Sequence, residues 1–281
     1  MSQSLNDRLD HLAWYSDKIK NGMSARLDQN YAVTRLYTGQ KMIVDVRDRS
    51  LTPHLLLDGY WELEISQLFE RLVHPGNVVL DLGANFGYFS LVAGAKIGDN
   101  GRIFAIEANP ELIPVLTQNC MLNGLQGRMT VANFVVSDDR PPMRLKLFKD
   151  YMGNSAMEDI EVDSHNEFSA YVSVANTTVD SYCEQQQIDR VNIVKMDIEG
   201  AEFRAIRGMQ SCLARNKDHI KILMEYAPQR YGVENEAFIK YLTNFFSHIY
   251  EVHSNGSYGR LESWNIDNWC MLLLANEEIT V

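Results

Sequence analysis

Short apolar runs alternate with longer stretches of helical period along most of this 281-residue chain. Seven apolar runs predict strands, at residues 77–82, 102–106, 128–136, 191–197, 219–225, 248–253 and 268–275. Apolar residues that recur every three to four positions predict helices between them, at residues 87–97, 111–122, 177–187, 201–214 and 235–246. We therefore expect an α/β fold with a seven-stranded, doubly wound sheet. Only a short polar linker separates the last two strands, which predicts a terminal antiparallel hairpin at the sheet edge.

The beginning of the chain lies outside this alternation. Apolar positions at roughly helical spacing predict a helix over residues 4–20, and its mixed charges suit a docking or dimer contact better than a membrane surface. Residues 31–38 and 41–46 predict a hairpin. We therefore expect residues 1–59 to form an N-terminal accessory region, with a homodimer as its candidate role, and residues 60–281 to form the main domain.

Three further segments complete the predicted elements. Residues 61–73 have apolar side chains on one side of a predicted helix, which ends just before the first strand of the sheet. Residues 143–148 predict an extra strand, and residues 149–170 form a long polar segment without a clear period. Long insertions of this kind often cover a binding site.

A glycine-rich turn follows the first strand of the main domain, in the run VVLDLGANFG at residues 78–87. Gly83 and Gly87 let the backbone turn tightly and approach a ligand, and the next helix offers free N–H groups at its start. A dinucleotide-binding fingerprint would place further glycines where this chain has Asn85 and Tyr88. The turn therefore predicts a nucleoside site that fits a pyrophosphate poorly.

Acidic residues occupy the ends of the first two strands of the main domain. Glu107 ends the second strand, 20 positions after Gly87, which is the place where α/β folds bind the two hydroxyls of a ribose. Asp81 lies two residues before Gly83, and two roles are open for it: ordering the turn through backbone N–H groups, or contacting the ligand.

A second group of polar residues lies in the run VKMDIEGAE at residues 194–202. Lys195, Asp197 and Glu199 alternate with apolar residues, so a strand would direct the polar set to one face. Ligands bind beyond the carboxyl ends of strands in an open α/β sheet, and this strand is expected beside the first one. Asp197 should therefore face the ligand that the glycine turn binds.

These motifs together resemble the FkbM family of S-adenosylmethionine-dependent methyltransferases. The matching runs are V-x-D-x-G-A-N-x-G, A-x-E-x-N-P, L-x-x-N-x-x-L-N and V-K-x-D-x-E-G-A-E, at residues 79–87, 105–110, 116–123 and 194–202. The resemblance covers residues 60–275 and implies a Rossmann-like class I methyltransferase fold that transfers a methyl group to oxygen. S-adenosylmethionine contains a ribose but no phosphate, which agrees with Asn85 in the glycine turn and with Glu107 as the ribose ligand.

The resemblance also implies positions for the parts of both substrates. The methionine end of the donor would lie over Asp81, Gly83 and Asn85, with Glu62 as either a closing residue or a solvated helix carboxylate. The adenine would lie near Ala108, Asn109, Ser137 and Asp138. A turn at residues 153–155 implies that Asn154 and Ser155 contact the acceptor.

Methyl transfer to a hydroxyl requires in-line positioning and removal of one proton. Asp197 is the leading candidate for the base and Lys195 the second, although a structural ion pair between them is an equal alternative for Lys195. Glu199 and Glu202 are assigned to the acceptor site, and Glu202 also suits the first turn of a helix. His165 could reach an acceptor hydroxyl or remain exposed to solvent. Asp197, Glu199 and Glu202 could instead share Mg²⁺, but their spacing does not require a metal.

Charge and cysteine content limit which binding partners and which location we expect. The 26 basic and 37 acidic residues give a net charge of −11, which disfavours a broad nucleic-acid surface. Four scattered cysteines form no metal-binding or redox motif. The N-terminus has no apolar signal core, and no apolar run is long enough to span a bilayer, so we expect a cytoplasmic protein.

The function expected from the sequence is methyl transfer from S-adenosylmethionine to a hydroxyl of a sugar, glycan or natural product. The acceptor is expected to be a small molecule or a glycan. Two other hypotheses are a dinucleotide-dependent oxidoreductase on a similar sheet and a non-catalytic module that binds a cofactor or a partner.

Overall fold

The computed structural model describes residues 24–138, 144–160, 167–253, 255–266 and 269–279. Its strands, in chain order, are β1 (Ser24–Arg26), β2 (Tyr31–Arg35), β3 (Lys41–Asp45), β4 (Val78–Leu82), β5 (Arg102–Glu107), β6 (Met129–Asn133), β7 (Val135–Val136), β8 (Arg144–Phe148), β9 (Ala156–Met157), β10 (Phe168–Ser173), β11 (Asn176–Thr177), β12 (Ile193–Met196), β13 (Lys221–Tyr226), β14 (His248–Val252), β15 (Tyr258–Arg260) and β16 (Cys270–Ala275). Its α-helices are α1 (Thr52–Leu57), α2 (Leu63–Leu72), α3 (Tyr88–Gly94), α4 (Ile113–Leu122), α5 (Val179–Gln185), α6 (Glu202–Arg207), α7 (Gln210–Asn216), α8 (Pro228–Tyr231) and α9 (Asn235–Phe245). Short 3₁₀ turns occur at Met152–Asn154 and Gly232–Glu234.

The central sheet has the strand order β15-β14-β16-β13-β12-β4-β5-β6 in the described residues. Strands β4, β5, β6, β12 and β13 run parallel, whereas β16 runs antiparallel to both of its neighbours. The order reverses between β4 and β12, and this switch point is where doubly wound sheets bind ligands. The predicted α/β class I methyltransferase fold is confirmed, with β15 as an additional short strand.

The predicted terminal hairpin is present at one end of the sheet. Strands β14 and β16 are antiparallel neighbours, as expected, and β16 lies between β13 and β14. All six residues of β16 are buried, which explains its place inside the sheet. The short strand β15 pairs with the outer side of β14.

The predicted helix over residues 201–214 is divided into α6 and α7. Gly208 lies at the break, where a β-carbon would come within 2.2 Å of the Ser137 carbonyl oxygen. The Asp180 carboxylate accepts hydrogen bonds from the N–H groups of Ser211 and Cys212 at the start of α7, at 2.9 and 2.7 Å. Close packing and this cap therefore end one helix and begin another.

The N-terminal hairpin packs against the main domain. Strands β2 and β3 are antiparallel, as predicted, and β1 pairs with the other side of β2. The Asn119 side chain on α4 accepts a hydrogen bond from the Ile43 N–H and donates one to the Ile43 carbonyl, at 2.7 and 2.9 Å. Met42 and Val44 belong to the same hydrophobic core as the helices of the main domain, so that core crosses the predicted boundary at residue 59. The helix predicted over residues 4–20 lies outside the described residues.

The insertion after β7 forms a small sheet over the carboxyl ends of the central strands. The predicted strand at residues 143–148 is present as β8, which lies between β9 and β10. The segment over residues 149–170 has more structure than its polar sequence predicted, because Ala156, Met157 and Ile160 are buried in a separate core cluster. Leu145 on β8 and Met157 on β9 line the same cavity as Gly83 and Asp197, so this sheet lies beside the switch point.

Candidate active site

Gly83 brings the turn after β4 into contact with the end of β12. Its backbone has φ +84°, and a β-carbon would lie 1.8 Å from the carbonyl oxygen of Asp197. The N–H of Gly83 donates to the carbonyl of Ile106 at the end of β5, at 2.9 Å. No residue with a side chain fits here, and the contact holds three strand ends together.

Two further residues of the turn, Asn85 and Gly87, also have a left-handed backbone conformation. Asn85 has φ +51°, and its side-chain oxygen accepts a hydrogen bond from the Phe86 N–H at 2.7 Å. Gly87 has φ +94°, and a β-carbon there would lie 2.6 Å from a methyl group of Leu116. The turn is therefore fixed by local bonds and by packing against α4.

Glu107 ends β5 with its carboxylate held by the backbone. One carboxylate oxygen accepts from the Asn85 N–H at 2.8 Å, and the other accepts from the Asn109 N–H at 2.7 Å. Burial raises the pKa of Glu107 to about 7, although these two hydrogen bonds oppose the rise. The side chain and Ala108 line the cavity described below.

Asp81 lies beneath the turn and is 1% exposed. Its Oδ2 atom accepts a hydrogen bond from the Ser90 hydroxyl on α3 at 2.6 Å. Burial raises the pKa of Asp81 to about 6. Of the two roles open for Asp81, the structure places it in an ordering contact between β4 and α3, and it is not among the described residues that line the cavities.

Lys195 and Asp197 form an ion pair at the end of β12. The distance from Lys195 Nζ to Asp197 Oδ2 is 3.1 Å, and Nζ lies 4.7 Å from the centre of the Phe89 ring. Burial lowers the pKa of Lys195, but the carboxylates of Asp197, Glu62 and Asp81 outweigh it and raise the pKa above its ordinary value. Lys195 is therefore a cation, which favours the structural ion pair over a role as base.

Asp197 differs from its partner in exposure. The Asp197 side chain is 34% exposed, whereas that of Lys195 is 1% exposed. Asp197 also lines both of the cavities described below. A carboxylate that is fixed by a buried cation and open to a cavity can accept a proton from a bound hydroxyl.

Glu62 precedes α2 in a left-handed conformation, with φ +41°. Its Oε2 atom is buried and accepts no hydrogen bond from the described residues. Burial raises the pKa of Glu62 to about 7, and Lys195 and Asp197 are the charges that act on it. Glu62 therefore faces the ion pair, and its buried oxygen lacks a donor.

Glu199 lies in the loop after β12 and has φ +55°. Its Oε2 atom is 2.9 Å from Nη1 of Arg230, and the same Arg230 atom is 3.0 Å from Oε2 of Glu225. Burial raises the pKa of both glutamates, and the neighbouring Asp197 and Glu202 add to the rise. Arg230 thus fixes a buried carboxylate at the cavity.

Sequence reasoning missed Arg230 and Glu225. A signal for Glu225 was present, because it lies near the end of a predicted strand, like Asp81 and Glu107. Arg230 carries no such signal, since only the fold brings α8 against the loop of Glu199.

Glu202 was predicted to contact the acceptor, and the structure corrects this assignment. Glu202 is fully buried, and its Oε1 atom accepts from the N–H groups of Ile198 and Gly200 at 3.0 and 3.3 Å. Its Oε2 atom accepts from the Tyr231 hydroxyl at 3.1 Å. Both oxygens therefore stabilise the loop after β12, and neither reaches a cavity.

The same bonds bear on the alternative of a shared Mg²⁺. Glu202 is committed to the backbone and Glu199 to Arg230, which leaves Asp197 as the remaining carboxylate of the three. Among the described residues, no group of three or more His, Cys, Asp or Glu side chains is arranged to hold a metal ion. This geometry does not favour the metal alternative.

A turn from the insertion forms the roof of the site. Asn109 is 1% exposed, and its amide donates to the Met152 carbonyl and the Ser155 hydroxyl at 3.2 and 3.1 Å. Gly153 approaches Asn85 so closely that a β-carbon would lie 2.5 Å from the Asn85 amide nitrogen. Asn109 therefore holds the roof in place, while Ser155 lines the cavity beneath it.

Two adjoining cavities open under this roof, and they share walls formed by Gly83, Asn85, Gly153, Asp197 and Glu199. The other lining residues of the inner cavity are Ile106, Glu107, Ala108, Phe134, Val135, Val136, Leu145, Ser155, Met157, Ile198 and Ala201. The other lining residues of the outer cleft are Ser50, Leu51, Trp61, Ala84, Tyr88, Phe89 and Asn154. The region before residue 60 thus contributes to the site.

The remaining predicted residues lie elsewhere. Ser137 and Asp138 are not among the described residues that line either cavity. Asp138 forms an ion pair with Arg207 at 2.7 Å, and Ser137 donates its backbone N–H to Thr177. The residues just before them, from Phe134 to Val136, line the inner cavity instead. His165 lies outside the described residues.

Both cavities are acidic. Glu107, Asp197 and Glu199 line the inner cavity, and Asp197 and Glu199 also line the outer cleft. Among the described residues that line the two spaces, none is Lys, Arg or His. The buried Lys195 and Arg230 each contact carboxylates from behind these walls. A ligand with positive charge would therefore meet carboxyl groups and no cation in these walls.

Comparison with known proteins supports the resemblance found in the motifs. The family model of the methyltransferase FkbM domain matches residues 81–258, which is more than half of the chain. The chain belongs to this family. The match of this FkbM-family protein begins at Asp81 and includes the glycine turn, Glu107 and the loop after β12.

Individual relatives are more distant. The chain is 25% identical over 160 residues to the hexuronic acid methyltransferase AglP of Haloferax volcanii, covering 54% of this chain and 58% of that protein. It is 29% identical over 128 residues to a tRNA (guanine(37)-N(1))-methyltransferase of Mus musculus, covering 42% and 25%. The chain therefore spans less than two thirds of the length of either relative.

A solved structure of similar shape is the tRNA m1G37 methyltransferase of M. jannaschii. The FkbM-family protein aligns with it at a TM-score of 0.46 and 16% identity, over 90% of this chain and 59% of that one. None of the helices in the described ranges is long and apolar enough to cross a membrane.

The buried carboxylates should make the ligand-free protein lose stability as pH rises. The folded-state pKa of Glu62 lies near 7 instead of 4.5, so its stabilising contribution is present below about pH 4.5 and is lost as pH rises through about 7. The unfolding free energy of the wild type should fall between pH 5 and pH 8. In Glu62→Gln this fall should be smaller by about 1–2 kcal/mol. Denaturant unfolding at several pH values measures this.

A matched control for this experiment is Glu236→Gln, because Glu236 is exposed on α9. The control should leave the pH dependence of the wild type unchanged. Identical pH profiles for the wild type and Glu62→Gln would contradict the assignment of a raised pKa to Glu62.

Proposed function

We propose that this protein is an S-adenosylmethionine-dependent O-methyltransferase that acts on a hydroxyl of a sugar, glycan or other natural product. The observation that carries the proposal is the acidic pair of cavities at the switch point of the sheet. The methyl donor has a sulfonium, an ammonium group and one carboxylate but no phosphate, so its net charge is positive. Carboxylates at Glu107, Asp197 and Glu199 suit that charge.

The residues present fit this cofactor. Glu107 is a buried carboxylate whose two oxygens accept hydrogen bonds from the backbone N–H groups of Asn85 and Asn109, and a carboxylate has further lone pairs for the ribose hydroxyls. Phe134 and Val136 offer an apolar surface for the adenine. Glu62 has a buried oxygen without a hydrogen-bond donor, and the ammonium group of the methionine end would supply one.

The cofactor supplies an activated methyl group when bound, and the protein residues position the acceptor and move one proton. Lys195 holds Oδ2 of Asp197 at 3.1 Å and fixes the direction of this carboxylate. We assign Asp197 as the base that takes the proton of the acceptor hydroxyl as its oxygen gains the methyl group. Asn154 and Ser155, on the roof, are assigned to the acceptor side.

The geometry supports the two other hypotheses less well. A dinucleotide carries a negatively charged pyrophosphate, and the described residues that line the two cavities include carboxylates but no cation. A non-catalytic module would have no need for a partly exposed carboxylate held by a buried lysine.

The remaining expectations on partners and location belong to this proposal. We infer a small-molecule or glycan acceptor instead of a nucleic acid, because the walls of the site are acidic and the chain has a net charge of −11. A cytoplasmic location and a homodimer through the N-terminal region stay predictions. Inhibition by EDTA that Mg²⁺ reverses would establish a metal requirement, which this proposal does not include.

Cofactor binding should depend on Glu107 and on pH. Glu107→Gln keeps the shape but loses the charge, and it should weaken binding of S-adenosylmethionine about tenfold or more. Wild-type affinity should rise between pH 6 and pH 8, because Glu62 and Glu107 both have a pKa of about 7: ionised Glu62 attracts the ammonium group, and ionised Glu107 accepts from the ribose hydroxyls. Isothermal titration calorimetry measures both effects.

This experiment has two controls, one for the variant and one for the ligand. Glu236→Gln, on the exposed face of α9, should bind the cofactor like the wild type. NADH should produce no binding signal. Equal affinity of Glu107→Gln and the wild type, or binding that is independent of pH, would contradict the proposal.

The base is tested separately with Asp197→Asn. This variant should retain cofactor affinity within a few fold while methyl transfer falls about 10²-fold or more, because the amide cannot take a proton. Release of S-adenosylhomocysteine from a panel of hydroxyl-bearing acceptors measures transfer. Loss of cofactor binding in the variant would instead identify Asp197 as a cofactor ligand.

A further inference from the structure

The outer cleft has an aromatic wall that the assigned donor contacts do not use. Trp61 lines this cleft and is partly buried against the hydrophobic core. The ring of His54 meets the indole edge to face at a centroid distance of 5.0 Å, which fixes its orientation. An indole held in this way offers a flat apolar surface to a ligand.

A fixed carboxylate lines the same cleft. Glu199 has a left-handed backbone and is paired with Arg230, which is itself held by Glu225. Non-glycine residues in this conformation persist only where the surroundings over-determine them, and they cluster at binding sites. Asp197 lies on the same side and is held by Lys195. Two positioned carboxylates therefore offer hydrogen-bond acceptors to hydroxyl groups.

The charge of the cleft limits the ligand further. Among the described residues that line it, Asp197 and Glu199 carry carboxyl groups and none is Lys, Arg or His. A carboxylate or phosphate on the acceptor would lie next to these carboxyl groups without a cation to pair with. Arg230 does not provide one, because it already bridges two glutamates.

We propose that the outer cleft binds an uncharged sugar ring, with its apolar face on Trp61 and its hydroxyls donating to Glu199 and Asp197. This assignment rests on the proposed methyltransferase function and specifies its acceptor class. It also predicts a difference from the similar hexuronic acid methyltransferase, since a ring with a carboxylate would be disfavoured here.

A matched pair of probes tests the charge preference. The probes are methyl hexopyranosides and the corresponding methyl hexuronates, which differ only in a hydroxymethyl group or a carboxylate. Binding to the full chain with S-adenosylhomocysteine present is measured by saturation-transfer NMR and by calorimetry. At least one neutral sugar should bind about tenfold or more tightly than its uronate partner. Tighter or equal binding of the uronates, or no binding in either series, would overturn the assignment.

Variants of Trp61 and Glu199 test the aromatic and the acidic side of the outer cleft. Trp61→Ala should weaken binding of the neutral sugar about tenfold or more, whereas Trp61→Phe should keep most of the affinity because it preserves an aromatic face. Both variants should bind S-adenosylmethionine like the wild type. Glu199→Gln should weaken binding of the neutral sugar and reduce the difference in affinity between neutral sugars and uronates. Unchanged sugar binding in Trp61→Ala, or a loss of cofactor affinity in its place, would overturn the proposal.

The cofactor titration separates this proposal from the one on which it rests. Failure of the wild type to bind S-adenosylmethionine would overturn the methyltransferase function itself. Normal cofactor binding together with a preference for uronates would overturn only the acceptor assignment.

Discussion

The contact between Gly83 and the carbonyl of Asp197 is the constraint on which the site depends. A β-carbon at Gly83 would lie 1.8 Å from that oxygen, so the ends of β4 and β12 meet without space for any side chain. The N–H groups of Gly83 and Ala84 both donate to Ile106, which joins β5 to the same point. Glu107 and Asp197 come to opposite sides of one turn because the backbone of these three strands is locked together.

Three non-glycine residues near this contact have left-handed backbones, and one of them has an unsatisfied buried atom. Among the described residues, Glu62, Asn85 and Glu199 have positive φ at the carboxyl ends of these strands. Asn85 is stabilised by its bond to Phe86, and Glu199 by its ion pair with Arg230. Glu62 has a buried oxygen with no donor among the described residues. A strained residue with an unsatisfied buried atom is costly in a folded protein unless a ligand completes it.

Site residues that lie at the ends of predicted strands could be found from the sequence, whereas residues that reach the site through packing of distant elements could not. Asp81, Glu107 and Asp197 were found because each lies at the end of an apolar run, where parallel strands converge. Glu202 was misassigned because its side chain turns back onto Ile198 and Gly200, a local bond that the residue order does not specify. Trp61 and Arg230 reach the site only through the packing of α2 and α8, and the buried sequence of β16 does not reveal which strands flank it.

The charged groups around the two cavities bear on both the proposed donor and the proposed acceptor. Burial raises the pKa of Glu62 and Glu107 to about 7 because both carboxylates lose solvation without gaining a full cationic partner. Lys195 is paired with Asp197, and Arg230 is divided between Glu199 and Glu225, so neither cation is left to pair with an anionic ligand. A positively charged ligand in the inner cavity would meet carboxyl groups, whereas an anion in the outer cleft would find no cation to pair with. We therefore expect the arrangement that suits a sulfonium donor to disfavour an anionic acceptor.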